Sequence, residues 1–228
     1  MLKRLSIAVL LLILACPSWL VGQSQEQTSP DIGQLLMDKV LQRYKSEDVP
    51  RNKAGFTRQE VIEYYDSNWK FKSTRTEIKT IKPGQKEPGN FNIDIAGILA
   101  TRYQFHIDDR ANTKLINGIT CAAVRFEPKP NIKISTSTDK ITSRLSGTIY
   151  VNLDDFSMVM VDDISIDKPF GFIHWFYILP ISINVSKLDL TVEFMKFNNV
   201  NVKKTVMLTI DATGYSKQKH TFTYSDYQ

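Results

Sequence analysis

Apolar and polar residues alternate with a period of two along most of the chain, from about Phe56 onward. Between Leu188 and Phe194, for example, every second residue is apolar and the residues between them are polar or charged. This alternation puts apolar side chains on one face of a strand and polar side chains on the other, as in antiparallel sheets with one solvated face. About ten or eleven such runs follow one another. The sequence therefore predicts a mainly β, antiparallel domain in meander order.

Turn residues separate these runs. Asn117-Gly118 lies between two strand-like segments and is the pattern of a two-residue β-hairpin, because both residues tolerate positive φ. Further turns are predicted at Lys82-Pro83-Gly84, Asp154-Asp155, Asn198-Asn199 and Thr213-Gly214. The stretch from Asn90 to Arg102 breaks the alternation and predicts a short helix or a loop.

One amphipathic helix precedes the strands. Ser29-Pro30-Asp31 offers an N-cap, a proline at the first helical position and an acid in the first turn. Apolar residues then recur at helical spacing, at Ile32, Leu35, Leu36, Val40 and Tyr44. This apolar side needs a partner, and the only large one available is the sheet.

The N-terminus has the order of a secretory signal sequence. Lys3 and Arg4 precede an apolar run from Leu5 to Ala15, which Pro17 ends. We expect residues 1–22 to be a signal peptide, 23–29 a flexible leader and 30–228 a single domain. Alternatively, Ile13-Leu14-Ala15-Cys16 is similar to a bacterial lipobox, in which Cys16 would become the lipidated first residue. The protein would then be anchored to the outer membrane instead of free in the periplasm.

The charge balance argues against a nucleic-acid partner. The 228 residues include 29 basic and 24 acidic ones, a net charge of +5, and removal of residues 1–22 takes away Lys3 and Arg4 to leave +3. Proteins that bind nucleic acid usually carry a basic stripe with interleaved aromatic residues, whereas the lysines here are scattered along strands.

The sequence contains little that could carry catalysis. His106, His174 and His220 lie far apart and have no partner at metal-ligand spacing. No phosphate-binding glycine loop, nucleophile elbow or zinc-protease helix is present in the sequence. Cys121 lies in an apolar run and is predicted to be a buried, inert thiol. We therefore expect a non-catalytic protein without a metal or cofactor.

Three acidic pairs could be imagined as acid–base partners, at Asp108-Asp109, Asp154-Asp155 and Asp162-Asp163. Adjacent residues of a strand point to opposite faces, so their adjacency predicts no shared site. Turn-forming or solvated aspartates are the expected role.

The segment from Phe170 to Tyr177 is too apolar for a solvated loop, and Pro169 and Pro180 frame it. It supports two interpretations. It either fills the core as a connection, or forms a flap or rim whose aromatic side chains border a lipid-sized cavity or a partner contact.

Several stretches resemble the LolA/LolB-like periplasmic lipoprotein-carrier superfamily. They are the hairpin from Ile116 to Lys129, the strand Leu145-Ser146-Gly147-Thr148-Ile149-Tyr150-Val151-Asn152, and the closing Thr221-Phe222-Thr223-Tyr224-Ser225-Asp226-Tyr227. The resemblance implies an incomplete antiparallel β-barrel of about eleven strands covered by an N-terminal amphipathic helix. It also implies a cavity that shields the acyl chains of lipoproteins or other lipids.

On this basis we expect a periplasmic carrier or binder of acyl chains or another hydrophobic ligand, associated with membranes only peripherally or through a lipid anchor. The residues predicted to line or border the cavity are Phe170, Phe172, Trp175, Phe176, Leu190, Val192, Phe194, Leu208 and Ile210. The alternative is an envelope scaffold or sensor whose apolar sheet face is a filled core and whose aromatic segment contacts a protein partner.

Overall fold

Most of the described residues form β-strands. The computed structural model describes residues 31–85, 95–107, 113–135, 137–176, 179–213 and 217–228. The predicted signal peptide, Cys16 and the leader lie outside these residues. Eleven strands are present in the described ranges, namely β1 (Phe56–Tyr65), β2 (Phe71–Ile81), β3 (Tyr103–Ile107), β4 (Thr113–Ile116), β5 (Ile119–Pro128), β6 (Leu145–Asn152), β7 (Met158–Ile166), β8 (Phe170–Phe176), β9 (Leu179–Phe197), β10 (Val200–Ala212) and β11 (Lys217–Ser225).

All eleven strands belong to one antiparallel sheet, in the order β2-β1-β11-β10-β9-β7-β6-β5-β3. Strand β4 also pairs with β5, and β8 pairs with β9. The sheet is open in the described part of the chain, with β2 at one end and β3 at the other. The mainly β, antiparallel fold predicted from the alternating pattern is confirmed, and the sheet is not closed, as the resemblance implies.

The hairpin turns follow the predicted chemistry. Asn117 and Gly118 connect β4 to β5, with φ values of 52° and 82°. Asn198 and Asn199 connect β9 to β10, with φ values of 47° and 62°. Positive φ at both central residues matches the right-handed twist of the flanking strands, so these turns fix the register of each hairpin.

In the described residues four helices accompany the sheet: α1 (Ile32–Ser46), α2 (Asp48–Lys53), α3 (Ile95–Arg102) and α4 (Ser137–Thr142). Helix α3 falls within the stretch predicted as helix or loop. Helices α1 and α3 pack on one face of the sheet, hereafter the inner face, over a core that includes Phe105, Val124, Ile149 and Phe194.

Helix α1 differs from its sequence prediction at its cap and in its buried side. Asp31, and not Ser29, is the N-cap, and its carboxylate accepts a hydrogen bond of 2.8 Å from the backbone N–H of Gly33. Ile32 and Leu35, both predicted to be buried, are 72% and 48% exposed. Val40 is buried as predicted, and the other buried residues of α1 are Gly33, Met37 and Leu41.

Gly33 explains why α1 buries a different side from the one that its apolar spacing predicts. A Cβ at this position would lie 2.9 Å from both the Cα of His106 and the carbonyl oxygen of Phe105. Only glycine lets the helix backbone approach β3 this closely. The helix therefore turns its glycine side, and with it Met37, toward the sheet.

The C-terminal end of α1 is held by a buried carboxylate. The side chain of Glu47 accepts a 2.8 Å hydrogen bond from Nε of Arg43 and a 3.0 Å bond from the backbone N–H of Asn201. Nδ2 of Asn201 donates in turn to the carbonyl oxygen of Met158. Glu47 thereby ties the helix end to the β9–β10 hairpin and to the start of β7.

Asp155 reinforces this attachment from the β6–β7 turn. Its carboxylate pairs with Lys196 and lies 3.5 Å from Nη1 of Arg43. Burial opposes its ionisation, but hydrogen bonds from Lys196 and Ser157, together with the charge of Arg43, outweigh burial and lower the pKa of Asp155 to about 2. Asp155 is thus a turn residue, as predicted, that also binds two neighbouring elements.

Replacing Glu47 with glutamine should lower the free energy of unfolding by about 2 kcal/mol, because the buried hydrogen bonds lose their charged acceptor. Asp48→Asn is the matched control, since that side chain is 62% exposed and the change should cost less than about 0.5 kcal/mol. Urea denaturation of both variants measures the difference. Equal effects at the two positions would contradict the role given to Glu47.

Asp155 should make the protein less stable in acid. Its folded pKa lies below its ordinary value of 3.8, so its contribution is present above about pH 4 and is lost as the pH falls through about 2. Asp155→Asn should therefore reduce the loss of unfolding free energy between about pH 4.5 and 2, by on the order of 2 kcal/mol. Denaturation curves across this range test it, with Asp154→Asn, an exposed neighbour, as the control. The same flattening in the control would refute the assignment.

Candidate functional site

Apolar cross-strand pairs line the inner face of β9 and β10 beyond the reach of α1. The pairs are Val192–Val206, Leu190–Leu208 and Leu188–Ile210, here called the apolar strip. Val206 is buried, whereas the other five side chains are only half-buried. Apolar side chains on a helix-covered face normally bury fully, so the strip is apolar surface that the described helices leave incompletely covered.

The strip is continuous with three buried clusters. Leu190 and Val192 pack both against the core beneath α1 and against a cluster that contains Phe222. At the other end, Leu188 and Ile210 pack against a cluster that contains Phe170. The inner face is therefore one connected apolar surface across the middle of the sheet.

Charged side chains replace apolar ones where the inner face continues onto β11 and β1. His220 lies opposite Leu208 of the strip, and its Nδ1 is 3.2 Å from Oε1 of Glu60. Nη2 of Arg58 lies 3.9 Å from the other oxygen of Glu60. The Arg58 side chain is only 4% exposed, and its guanidinium lies 5.6 Å from the centre of the Phe222 ring. We call Arg58, Glu60 and His220 the charged wall.

The charged wall extends onto β2. Glu77 lies directly opposite Glu60 across the two strands. A hydrogen bond and the charge of Lys79 lower the pKa of Glu77, and the charges of Arg75 and Arg58 act in the same direction. The cations thus compensate two carboxylates that face each other. The inner face is apolar at its centre and ionic at the β1–β2 side.

The apolar strip and the charged wall together are better suited to binding an amphiphilic molecule than to catalysing a reaction. The apolar strip can bury aliphatic groups, and the adjoining wall offers hydrogen-bond donors and acceptors to a polar head. Cys121 is fully buried among Ile116, Tyr150 and Val159, and burial raises the pKa of its thiol, so it is a structural residue as predicted. Within the ranges the structure describes, no group of three His, Cys, Asp or Glu side chains could hold a metal ion.

A separate depression of about 400 Å³ lies where the β4–β5 turn approaches the β9–β10 hairpin. Its lining combines apolar side chains, among them Met158, Val159 and Phe194, with Lys196 and Lys204. The volume is in the range of small-molecule pockets, about 300–1,000 Å³. However, Lys196 pairs with Asp155 and Lys204 with Glu193, so both cations already have partners.

The structure places most of the predicted cavity residues on one surface. Leu190, Val192, Leu208 and Ile210 belong to the apolar strip, and Phe194 is buried beside it under α1. Phe170 is buried at the other end of the strip. The remaining predicted residues, Phe172, Trp175 and Phe176, lie in β8 with side chains outside the described part. The aromatic segment itself forms a hairpin with the beginning of β9.

The charged wall was not predicted. Arg58 and Glu60 lie in β1, where Phe56 and Ile62 share their face and Val61 and Tyr65 lie on the other. With apolar residues on both faces, the alternation in β1 does not indicate which face points inward. The signal that could have revealed the charged wall is a histidine in β11 that lies opposite an apolar residue of β10. This signal can be recognised only when the register between the two strands is known.

Among the residues that the structure describes, no helix is both long and apolar enough to cross a membrane.

No family model matches the chain, and the search of curated proteins finds no match either. Among solved structures, the chain is similar to an outer membrane lipoprotein-sorting protein domain from Vibrio parahaemolyticus, with a TM-score of 0.38 and 9% identity over 84% of this chain and 92% of that one. It is also similar to MucB in the MucA/MucB complex of Pseudomonas aeruginosa, with a TM-score of 0.29 and 8% identity over 83% and 93% of the two chains.

A second structure, of MucB in complex with MucA(peri), matches at a TM-score of 0.29 and 8% identity over 84% of this chain and 94% of that one. The first of these solved structures is of the kind of protein that the sequence resembles. Identities below 10% and TM-scores below 0.5 say nothing about what this chain binds.

Proposed function

We propose that the protein is a non-catalytic periplasmic binder that holds an acyl chain, or a hydrophobic ligand of similar shape, along its apolar strip. The observation that carries this proposal is the half-buried state of five of the six strip residues. Each methylene group that leaves water on such a surface contributes about 0.8 kcal/mol, so a long acyl chain can offset the entropy cost of association.

The charged wall supports an amphiphilic ligand. His220 lies directly opposite Leu208, in the middle pair of the strip, so a ligand on the strip lies beside ionic groups. A lipid or the acylated end of a lipoprotein has this division between an apolar chain and a polar remainder. The strip would hold the chain, and the wall would meet the polar part.

Export to the periplasm is a reason for such a binder to be needed. The charged and apolar order of residues 1–22 favours secretion, and an acyl chain that crosses a watery compartment needs apolar cover. Processing after Gly22 would leave a carrier that is free to move through the periplasm. Lipidation of Cys16 would instead keep the same domain at the outer membrane, where it could receive or hold the ligand.

The alternative is an envelope scaffold or sensor in which the chain's own residues fill the inner face. Mass spectrometry of the intact exported protein addresses both the processing site and any lipid that purifies with it. A filled inner face predicts that no lipid is found and that a fluorescent fatty acid is not taken up.

Leu208→Asp should weaken the uptake of a fluorescent fatty acid at least tenfold, because an ionised carboxylate on the strip must be desolvated to admit an acyl chain. Met207→Asp is the matched control. Met207 is the adjacent residue of β10, points to the opposite face and is 42% exposed, so its change should leave uptake as it is.

Leu208→Trp provides a second variant in case the aspartate unfolds the domain. The larger side chain keeps the surface apolar but occupies the space that the ligand needs, so uptake should again fall. Unchanged uptake in both folded Leu208 variants would overturn the proposed location of the ligand.

A further inference from the structure

Strand β2 is a long edge strand. It ends the sheet on one side, spans eleven residues from Phe71 to Ile81, and pairs with β1 along its length. Within the described ranges no other strand lies on its outer side. The backbone groups on that side form a row of donors and acceptors, which is a template for another extended chain.

The opposite edge is built differently. It consists of two short strands that both pair with β5, namely β3 with five residues and β4 with four, and the first turn of α1 lies against β3, with Gly33 in contact with the backbone of Phe105 and His106. A short strand beneath a helix is a protected edge. The fold thus divides one edge into two short strands, one of them beneath a helix, and leaves β2 as an unbroken edge strand of eleven residues.

The side chains of β2 carry a positive balance. The strand contains three basic residues, Lys72, Arg75 and Lys79, and one acid, Glu77. Arg75 is 64% exposed and Ile78 is 65% exposed. Basic residues along an edge oppose pairing with a second copy of the same strand, because like charges would meet. Arg75 and Lys79 also pair with Glu77, at 3.6 and 2.7 Å, but three basic residues against one acid leave the strand an excess of two positive charges that attracts an acidic chain.

We propose that β2 binds an extended, acidic segment of another polypeptide, which joins the sheet as an additional strand. Main-chain hydrogen bonds would supply much of the affinity, and alternate side chains would supply the selectivity. Arg75, Glu77 and Lys79 point to the inner face, whereas Thr76, Ile78 and Thr80 point to the outer face. The segment that fits has acids four residues apart on one side and β-branched residues on the other.

This surface is independent of the apolar strip. The strip lies on β9 and β10, and β11 and β1 separate it from β2. Leu208→Asp should therefore reduce fatty-acid uptake and leave peptide binding intact, so failure of the proposed ligand site and failure of the proposed strand edge are distinguishable.

The test uses the exported protein and the capped peptide Thr-Val-Glu-Val-Gln-Val-Glu-Val-Thr, with a control peptide in which lysine replaces both glutamates. The acidic peptide should bind at least tenfold more tightly in low salt, as measured by fluorescence anisotropy. Amide hydrogen exchange should slow at least tenfold within residues 71–81, because strand addition engages backbone groups that a purely ionic contact leaves exposed.

The double variant Arg75→Glu/Lys79→Glu should lose at least tenfold in affinity for the acidic peptide and gain affinity for the lysine peptide. Lys45→Glu/Lys53→Glu is the matched control, because it makes the same change in net charge at exposed positions of α1 and α2 and should bind as the unchanged protein does. Arg75→Gln/Lys79→Gln serves if charge reversal disturbs folding, and should show a smaller loss in the same direction.

Four results would overturn the proposal. They are absence of binding, equal binding of the two peptides, protection confined to residues outside 71–81, and protection of β2 that grows with protein concentration in the absence of peptide. The last of these would identify a second copy of the chain as the occupant of the edge.

Discussion

The arrangement of the whole inner face depends on how the carboxylate of Glu47 is satisfied. A buried charge is costly unless it is paired and hydrogen-bonded, and Glu47 meets this condition only where Arg43 and the backbone of Asn201 come together. One end of α1 is thereby fixed over the β9–β10 hairpin, while Gly33 sets the other end against β3. A helix held at both ends packs over β3 to β7 and reaches Phe194 of β9, while Leu208 and Ile210 of β10 lie outside the core beneath it.

Much of this fold was predictable because its local signals agree with one another. The Asn117-Gly118 and Asn198-Asn199 turns and the period-two alternation point to antiparallel hairpins, and the structure has them. The predicted meander order is wrong, because β1 pairs with β11 and β3 pairs with β5. The orientation of α1 was not predictable from its apolar spacing. That spacing predicts that Ile32 and Leu35 are buried. Close backbone approach at Gly33 instead decides which side of α1 meets the sheet, and a glycine does not contribute to the apolar pattern of a helix.

The candidate site, like the fold, was predictable from the sequence in one part and not in another. Leu190, Val192, Leu208 and Ile210 were predicted to share a surface because alternation in β9 and β10 is unambiguous, and the register places them opposite one another. The charged wall depends on contacts between strands distant in sequence, as between Glu60 and His220, which no local pattern encodes. The side chains of the aromatic hairpin after Phe170 lie outside the description, so their predicted role at the rim of the cavity stays a prediction.

The apolar centre of the inner face and its ionic β1–β2 side have different physical roles. An apolar inner face that continued across β1 to an exposed edge would favour association with any exposed strand or apolar surface. Arg58, Glu60 and Glu77 interrupt it, because a partner that buried these groups would have to replace their hydration and their mutual contacts. Such a margin confines apolar binding to the strip and leaves the edge selective for charge. One sheet can therefore offer a surface for an aliphatic ligand and, three strands away, a strand edge for an acidic chain.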